Sequence, residues 1–474
     1  MTASRDTRPA QAETGLAKNR LGTSHVAFFV VAAAGPLLLM AGVAPIGIAF
    51  GGIATPLGFL IAGMVFALFA VGYVAMSRHV HNAGAFYAFV REGISRPLGV
   101  GSGLTVLTAY NLIAAGQVAA TGFFAQQALL AIADVDVPWW VFAIIVWLLI
   151  GWLGSRTITL SAQVLGFFLS LEVIILLILA VPVLLQGGAS GISVGSFNPA
   201  NLTGGTGAML VFAFGAFLGC EATVVYSEEA REPRRTIPRA TYAAVAFLGL
   251  FYAFICWTIV IAYGEQSVVE AATNDPVNLV FSAMESYVGT PAADMMLVLL
   301  CTGTFASTLG FHNEAVRYFF ALGREGVLPR ALRHVHPGSG SPRTAVAAQS
   351  AFSALFVILL GALGADPYLQ IFIPLAGAGV VGIIAMQAFA SASVVGFFRR
   401  NPDLEATSWA RAIAPGISTV CLTAAVVLMV TRFELLTGVP WPNWVNFALL
   451  LPLLAILIGG TVWARLGWRA EVEK

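Results

Sequence analysis

Two acidic residues lie inside long apolar segments of this chain, where the burial of a carboxyl group costs free energy. Glu172 stands between Leu171 and Val173 in a run of aliphatic residues, and Glu221 follows a Gly-Cys pair in another apolar run. Burial away from water disfavours the ionised form of a carboxyl group, so such an acid can hold a proton near neutral pH. Glu172 is therefore a candidate for a group that binds and releases a proton.

The composition of the chain places these acids in a membrane. Of the 474 residues, 58% are hydrophobic and only 10% are charged, whereas a soluble chain carries roughly 25% charged residues. A helix needs about 20 apolar residues to cross the hydrocarbon core of a bilayer. Runs of that kind predict twelve spans, at 26–50, 56–77, 99–132, 138–153, 159–186, 208–226, 239–264, 291–321, 344–364, 368–397, 412–432 and 445–466. The predicted class is an all-α polytopic membrane protein in contact with the lipid bilayer.

Basic residues are distributed unevenly between the two ends of these spans. They cluster before the first span, after each even-numbered span and at the end of the chain, whereas Arg432 is the one base on the opposite side. The positive-inside rule therefore predicts that both termini are cytoplasmic. We expect a multi-pass protein of the plasma (inner) membrane with cytoplasmic tails at 1–22 and 468–474.

Two of the spans contain glycine and proline where an uninterrupted helix would avoid them. The first carries Gly35-Pro36, and the sixth carries Gly215 and Gly219. An interruption frees backbone groups, which cost several kcal/mol each in hydrocarbon unless they face a cavity or a ligand. Matching interruptions in the two halves of a chain point to the substrate site of a transporter. The alternative is a pair of kinked structural helices.

The interruption in the first span suits a zwitterionic ligand. A helix end with free N–H groups attracts a carboxylate, and one with free C=O groups attracts an ammonium group. An α-amino acid carries both groups on one carbon, so paired interruptions can bind it with little side-chain charge. A break at 41–43 is an alternative register. The predicted break consists of Ala34, Gly35, Pro36, Leu37 and Leu38, none of which is ionisable.

Three stretches after the second, sixth and eighth spans carry recognisable motifs. They read SRHVHNAGAFYAF at 77–89, EEAREPRRTIPRA at 228–240, and NEAVR at 313–317 followed by ALGREGVLP at 321–329. In this order and spacing they resemble the cytoplasmic signatures of the amino acid–polyamine–organocation (APC) superfamily of permeases. The resemblance covers nearly the whole chain.

The resemblance implies a LeuT-type fold with a 5+5 inverted repeat in which helices 1 and 6 are broken. The transport core would comprise 23–400, with repeats at about 26–186 and 208–397. Spans 11 and 12, within 401–467, would lie outside this core.

The resemblance also assigns a substrate site to the two breaks. Phe217 resembles the aromatic residue that covers the substrate, and Glu221 matches the glutamate that follows the second break. Gln117 lies near a polar position of helix 3, where it either contacts the substrate or hydrogen-bonds a neighbouring helix. The predicted substrate-binding residues are Ala34, Gly35, Pro36, Leu37, Leu38, Gln117, Phe217, Leu218, Gly219 and Glu221.

The position of Glu172 resembles a coupling site. Several proton-coupled or exchanging members of the superfamily carry a lysine there, and this chain departs from them by carrying an acid. We expect H⁺ as the coupling ion, with Na⁺ held by Glu172, Ser307 and Thr308 as an alternative. Exchange without ion flux and a purely structural Glu172 are the other possibilities. No further cofactor and no metal site are expected.

Two acids mark the predicted cytoplasmic end of the sixth span. Glu228 and Glu229 precede an Arg-rich loop. Ion pairs of these two acids with Arg231, Arg234 or Arg317 would close an inward gate. The alternative is that these side chains are solvated caps of a helix end.

Together these features predict a secondary active transporter for amino acids, working by alternating access and proton symport. A polyamine or organic-cation permease, an amino acid exchanger and a transport-like nutrient receptor are the alternatives. The chain has no P-loop, no His-Glu-x-x-His motif and no Gly-x-Ser-x-Gly motif, which argues against a pump or an enzyme. The expected partners are a small-molecule substrate and the bilayer, without nucleic acid, and the sequence does not indicate an oligomeric state.

Overall fold

A computed structural model describes residue 16, residues 19–202 and residues 204–472, with side chains up to residue 467. Most of the predicted N-terminal tail, 1–22, lies outside the described residues, and so do Arg5, Arg8 and Lys18. The side chains of the predicted C-terminal tail, 468–474, lie outside them as well. The placement of both tails therefore stays a prediction.

Helices follow the apolar runs of the sequence and make up nearly all regular structure in the described chain. In chain order they are α1 (Thr23–Ala34), α2 (Ala44–Gly51), α3 (Thr55–Ser77), α4 (Ala85–Gly93), α5 (Arg96–Ala133), α6 (Trp139–Gly154), α7 (Ile158–Gln186), α8 (Thr206–Gly215), α9 (Pro233–Tyr263), α10 (Val268–Asn274), α11 (Leu279–Tyr287), α12 (Thr290–Arg324), α13 (Arg343–Ala362), α14 (Ile373–Arg400), α15 (Ala414–Thr431), α16 (Glu434–Thr437) and α17 (Trp444–Val472). Polar and glycine residues set the ends. The Ser95 hydroxyl accepts the N–H of Leu98 at the start of α5, and Gly187, with φ of 82°, ends α7.

Eleven helical segments within the described residues are long and apolar enough to cross a membrane. Each corresponds to a predicted span; Thr23–Gly51 is the first and Thr206–Tyr226 is the sixth. The predicted fourth span, 138–153, corresponds to α6, which has only 16 residues and is shorter than the roughly 20 that a bilayer requires. The count of twelve spans and the inverted 5+5 repeat stay predictions.

The helical path of the first span changes at Gly35. Helix α1 ends at Ala34, and Gly35 has φ of 59°, a left-handed conformation that residues with a side chain adopt only at a cost. Pro36 follows and has no N–H to continue the hydrogen-bond ladder. The chain then passes through a π-helical turn, Leu38–Val43, into α2. Gly42, in the alternative register, lies inside this turn.

The sixth span changes path at a second left-handed glycine. Helix α8 ends at Gly215, Gly219 has φ of 95°, and the segment continues as a 3₁₀-helix, Cys220–Tyr226. A 3₁₀-helix is narrower than an α-helix and places its side chains at a different angular spacing. The two halves of this segment therefore present different side chains to the interior than a continuous helix would.

The two interrupted segments lie at the centre of the helix bundle. Helix α1 packs against α7, α9 and α12, while the longest helix, α5, packs against α12, α14 and α17. In the most apolar stretches of Thr23–Gly51 and Thr206–Tyr226, 78% and 83% of residues are buried, against 11% in Trp444–Gly467. The interruptions are consequently surrounded by protein rather than by lipid.

Membrane topology can be tested with single cysteines in a background that lacks the four native cysteines. Cysteine at Arg234 or Arg330, both exposed, should react with an impermeant maleimide only from the cytoplasm, because both lie at Arg-rich ends. Cysteine at the exposed Asp275 should react only from outside. Labelling of Asp275→Cys and Arg330→Cys from the same side would refute the topology.

Candidate functional site

A buried carboxyl group caps the interruption in the first span. Glu172, on α7, is 0% exposed, and its Oε2 accepts the N–H of Leu37 at 2.9 Å. This N–H follows the turn at Gly35 and Pro36, where the helical ladder is broken. A carboxylate is well suited to a free N–H at a helix start, because the aligned peptide dipoles there attract negative charge.

Helix α12 completes the surroundings of this carboxyl group. A Cβ at Gly303 would lie 2.7 Å from Oε1 of Glu172, so glycine leaves room for the carboxyl group in its present position. That oxygen has no hydrogen-bond partner among the described residues. Ser307, one turn further along α12, donates its hydroxyl to the carbonyl of Ala33 at 2.5 Å. Helices α7 and α12 thus bind opposite sides of the interruption.

Thr308, the other predicted sodium ligand, makes different contacts. Its hydroxyl donates to the carbonyl of Thr304 at 2.6 Å and lies 3.4 Å from the hydroxyl of Thr121 on α5. The structure therefore brings Glu172 and Ser307 to the interruption and orients Thr308 towards α5.

The two interruptions touch each other at Gly219. A Cβ on this glycine would lie 3.2 Å from the carbonyl oxygen of Val30 and 3.3 Å from Cβ of Ala33. The left-handed backbone and this close approach both require glycine. A rearrangement of one interrupted segment therefore requires atoms of the other segment to move.

Glu221 stabilises the second interruption through three donors. Its Oε1 accepts the hydroxyl of Tyr110 at 2.8 Å, and its Oε2 accepts the Gln387 amide at 2.9 Å and the Gly219 N–H at 3.1 Å. The Tyr73 hydroxyl also donates to the main-chain carbonyl of Glu221 at 2.8 Å. The carboxyl group is 0% exposed, and these contacts tie the sixth span to α3, α5 and α14.

A cavity of about 100 Å³ lies between the two interruptions. Three aromatic residues, Phe212, Phe311 and Phe372, contribute to its wall, together with aliphatic residues of the first span, α5 and α14. Among the described residues that line it, Gln117 has the one polar side chain. The amide oxygen of Gln117 has no partner among the described residues, so it remains available to a ligand.

The structure brings some of the predicted substrate-binding residues to this cavity and keeps others behind it. Ala34, Leu38, Gln117 and Leu218 line the cavity. The predicted residues that do not line it are Gly35, Pro36, Leu37, Phe217, Gly219 and Glu221. Phe217 is fully buried and stacks on Phe66 of α3, with ring centroids 4.9 Å apart. Its assignment as the residue that covers the substrate therefore stays a prediction without a contact to the cavity.

The sequence did not identify the aromatic rings of the cavity wall. Phe212, Phe311 and Phe372 stand in runs of apolar residues that all look alike in a membrane protein. A phenylalanine that faces lipid and one that faces a cavity are surrounded by the same kind of apolar sequence, so only the packing of the helices distinguishes them.

Two ion pairs lie at the Arg-rich end of the bundle, where the sequence predicts a gate, and we call Glu228, Glu229, Arg317 and Arg324 the gate cluster. Arg317 donates to both carboxyl oxygens of Glu229, at 2.8 and 3.1 Å, and to the carbonyl of Asn313 at 2.9 Å. These side chains are only 5% and 2% exposed. Removing one partner of such a buried pair costs about 3–5 kcal/mol, because the other charge is left without compensation.

The second pair of the gate cluster joins α12 to the turn after the sixth span, and Glu228 also binds the loop after α3. Arg324 donates to both oxygens of Glu228, at 2.8 and 2.7 Å, and the same carboxyl group accepts the N–H of Ala83 at 2.8 Å. Arg231, a predicted gating residue, is instead exposed and uses its main-chain N–H to bond the carbonyl of Leu21. Glu228 is thus paired with Arg324, whereas the sequence predicted Arg231 as a gating residue.

Glu325, which follows α12, forms a further group of hydrogen bonds close to the gate cluster. Glu325 accepts hydrogen bonds from Arg91 at 3.0 Å, Asn82 at 3.2 Å and Tyr87 at 3.3 Å. Burial raises the pKa of Tyr87, so its hydroxyl keeps the proton that it donates. The loop and α4 that follow the second span are thereby fixed to the end of α12.

Comparison with known proteins identifies the class of molecule. The family profile described as amino acid permease matches residues 25–474. The chain belongs to the amino acid permease family, within the APC superfamily. This family and the similar proteins described below are transporters. The permease is therefore a multi-pass membrane transporter and not an enzyme.

Several characterised transporters are similar to this permease at low identity. It is 24% identical over 407 residues to the methylthioribose transporter of Bacillus subtilis (strain 168), a match that covers 82% of each chain. It is 25% identical over 317 residues to the aromatic amino acid transport protein AroP of Escherichia coli O157:H7, covering 64% of this chain and 66%, just under two thirds, of that protein. It is 22% identical over 339 residues to the low-affinity putrescine importer PlaP of Escherichia coli (strain K12), covering 67% of each.

Proposed function

We propose that this permease takes up an amino acid with an apolar side chain by proton-coupled alternating access. The cavity between the two interruptions carries the proposal. Ala34 and Leu38, on either side of the interruption at Gly35, line this cavity, and we expect main-chain groups there to bind the α-carboxylate and the α-ammonium group. The aromatic and aliphatic wall suits an uncharged, apolar side chain. The similarity to an aromatic amino acid transport protein supports this substrate class.

Proton coupling acts through Glu172 in this proposal. As a carboxylate, Glu172 makes a charge-assisted hydrogen bond to the Leu37 N–H, worth roughly 1.5–3 kcal/mol. Protonation removes the charge and weakens this bond, so it changes the stability of the interruption. Because Ala34 and Leu38 of the same interruption line the cavity, the binding of a proton and the binding of substrate are linked.

The gate cluster supplies the conformational step of alternating access. With Arg317–Glu229 and Arg324–Glu228 paired, the cavity is closed towards the Arg-rich side, which the charge distribution assigns to the cytoplasm. Opening requires both pairs to separate. Substrate and proton together would need to favour the open arrangement by more than the pairs stabilise the closed one.

A polyamine or organic-cation permease is the main competing function, and the similarity to a putrescine importer supports it. A site for two distant amines needs acidic side chains facing the ligand. Among the described residues that line the cavity there is no Asp or Glu. Glu172 bonds the Leu37 N–H, and Glu221 is occupied by three donors. The contacts of both acids therefore favour the amino acid.

Transport by purified permease in proteoliposomes tests this function. An inward pH gradient should drive accumulation of a labelled apolar amino acid, other apolar amino acids should compete, and putrescine should not. Ala376→Val narrows the cavity and should reduce uptake of large side chains more than of small ones. Ala385→Val, on the same helix but outside the cavity wall, is the matched control.

Other outcomes of this experiment would indicate the alternatives. Competition by polyamines alone would identify an organic-cation permease. Uptake that requires substrate inside the vesicles but no pH gradient would identify an exchanger. Binding without any uptake would identify a nutrient receptor.

A further inference from the structure

Glu314 is a buried acid on α12 that neither the predicted substrate site nor the predicted gate includes. Its side chain is 0% exposed, and neither carboxyl oxygen has a hydrogen-bond partner among the described residues. An ionised carboxyl group buried without a partner costs several kcal/mol, and such a group takes up a proton instead. The groups around Glu314 therefore decide when it can ionise.

These groups come from α3, α5, the sixth span and α12 itself. Arg317 is the one cation among the described groups in electrostatic range of Glu314, and its guanidinium already pairs with Glu229. The Tyr226 hydroxyl is, like Glu314, buried without a described partner. The titratable groups in range of Glu314 are Tyr73, Tyr110, Cys220, Glu221, Tyr226, Arg317 and Tyr318.

The two acids of this cluster differ in what stabilises them. Glu221 accepts hydrogen bonds from Tyr110, Gln387 and the N–H of Gly219, and such bonds stabilise a negative charge. Glu314 accepts none from the described residues. Two like charges close together in a medium of low dielectric cannot both be ionised cheaply. The negative charge is consequently stabilised on Glu221, and Glu314 carries the proton.

Arg317 connects this proton to the gate. It lies three residues after Glu314 on α12, a spacing at which two side chains share one face of a helix. In the closed arrangement its guanidinium is held by both oxygens of Glu229. When Glu229 moves away with the end of the sixth span, the guanidinium loses this partner while Glu314 remains on the same face.

We propose that Glu314 is a second proton-binding site of this permease and that it releases its proton when the gate opens. In this step the O–H bond of Glu314 breaks, the proton passes to water at the opened end, and the new carboxylate accepts hydrogen bonds from Arg317 in place of Glu229. Closure of the gate reverses each transfer. The part that this proton plays in transport rests on the proposed function, whereas the proton itself can be detected without transport.

Infrared difference spectroscopy of the purified permease in lipid detects the carbonyl band of a protonated carboxylic acid. The wild-type spectrum at neutral pH should contain a band that Glu314→Gln lacks. Glu229→Gln should lose the same band, because Arg317 is then released to pair with Glu314. Glu270→Gln, which changes an exposed acid on α10, is the matched control and should keep it.

Glu314→Asp separates the loss of the proton from a loss of folding, since it keeps a carboxyl group and should show a shifted band. Identical spectra for wild type and Glu314→Gln would overturn the proposal, and a band that survives Glu229→Gln would overturn the exchange of partners. In proteoliposomes, substrate counterflow by the wild type should change with pH on the Arg-rich side, and counterflow by Glu314→Gln should change less, because this variant keeps Glu172 but has lost the proton of Glu314. A wild type that transports no amino acid would refute the proposed function, but the infrared result would still decide the state of Glu314.

Discussion

Glu172→Gln should abolish proton-driven accumulation while substrate exchange across the membrane continues. Glutamine has nearly the size of glutamate and keeps an amide oxygen that can accept the N–H of Leu37, so the interruption at Gly35 remains capped. It cannot bind and release a proton. Substrate can therefore bind and exchange, but no proton leaves the site to reset the carrier. Uptake under an inward pH gradient and counterflow at equal pH measure the two activities separately.

This prediction has a control variant and outcomes that would indicate a different coupling mechanism. Glu270→Gln, at an exposed position, should accumulate substrate like the wild type. Glu172→Ala should also lose coupling, and it should unfold at a lower temperature because it leaves a cavity beside α12. Substrate binding that requires sodium and weakens in Glu172→Gln would instead indicate a sodium site that includes Ser307. Full accumulation by Glu172→Gln would show that coupling resides elsewhere.

Gly219→Ala should reduce transport to a small fraction of the wild-type rate, and Gly219→Leu should abolish it. The φ of 95° at Gly219 is a conformation that costs a residue with a side chain about 1–3 kcal/mol. The added Cβ would also press on the carbonyl of Val30 and the Cβ of Ala33. The two interrupted segments must then separate, which distorts the cavity between them. Initial uptake rates, normalised to the amount of inserted protein, measure the effect.

A second glycine provides the control for this substitution. Gly416, on α15, has no atom within 4 Å of the position that a Cβ would occupy. Gly416→Ala should insert and transport like the wild type, since alanine is favoured over glycine in a helix by up to about 1 kcal/mol. Near-normal uptake by Gly219→Leu would exclude the sixth span from the substrate site.

The positions of the spans could be predicted because hydrocarbon imposes both a length and a composition on a helix. The exception, 138–153, shows the limit of that rule. Its apolar run is strongly hydrophobic but spans only 16 positions, and α6, between Pro138 and Ser155, has the same length. The interruptions at Gly35 and Gly219 were visible for a related reason, because few residues other than glycine tolerate a left-handed backbone.

The contacts within the site could not be predicted, because they join residues that are distant in the chain. Nothing near Glu172 indicates that its carboxyl group caps the N–H of Leu37. Phe217 has no polar atom to fix its direction, and packing against Phe66 determined it. Glu228 and Glu229 lie in the turn that follows Cys220–Tyr226, and the conformation of that turn decides that Arg317 pairs with Glu229.

Glu314 was not predicted as a functional residue for another reason. It belongs to the motif NEAVR, which was used only for the resemblance to the superfamily. Its side chain is in fact fully buried. The length of α12, which continues to Arg324, places this motif inside the protein.

The close approach of Gly303 to Glu172 links the residues that these two distant positions of the chain can carry. Even a methyl carbon at 303 would lie 2.7 Å from Oε1 of Glu172 and would displace the carboxyl group from the interruption that it caps. A larger residue at 303 therefore requires the Glu172 side chain to move or to be replaced by a shorter one. We expect the residues at 172 and 303 to vary together among relatives of this permease.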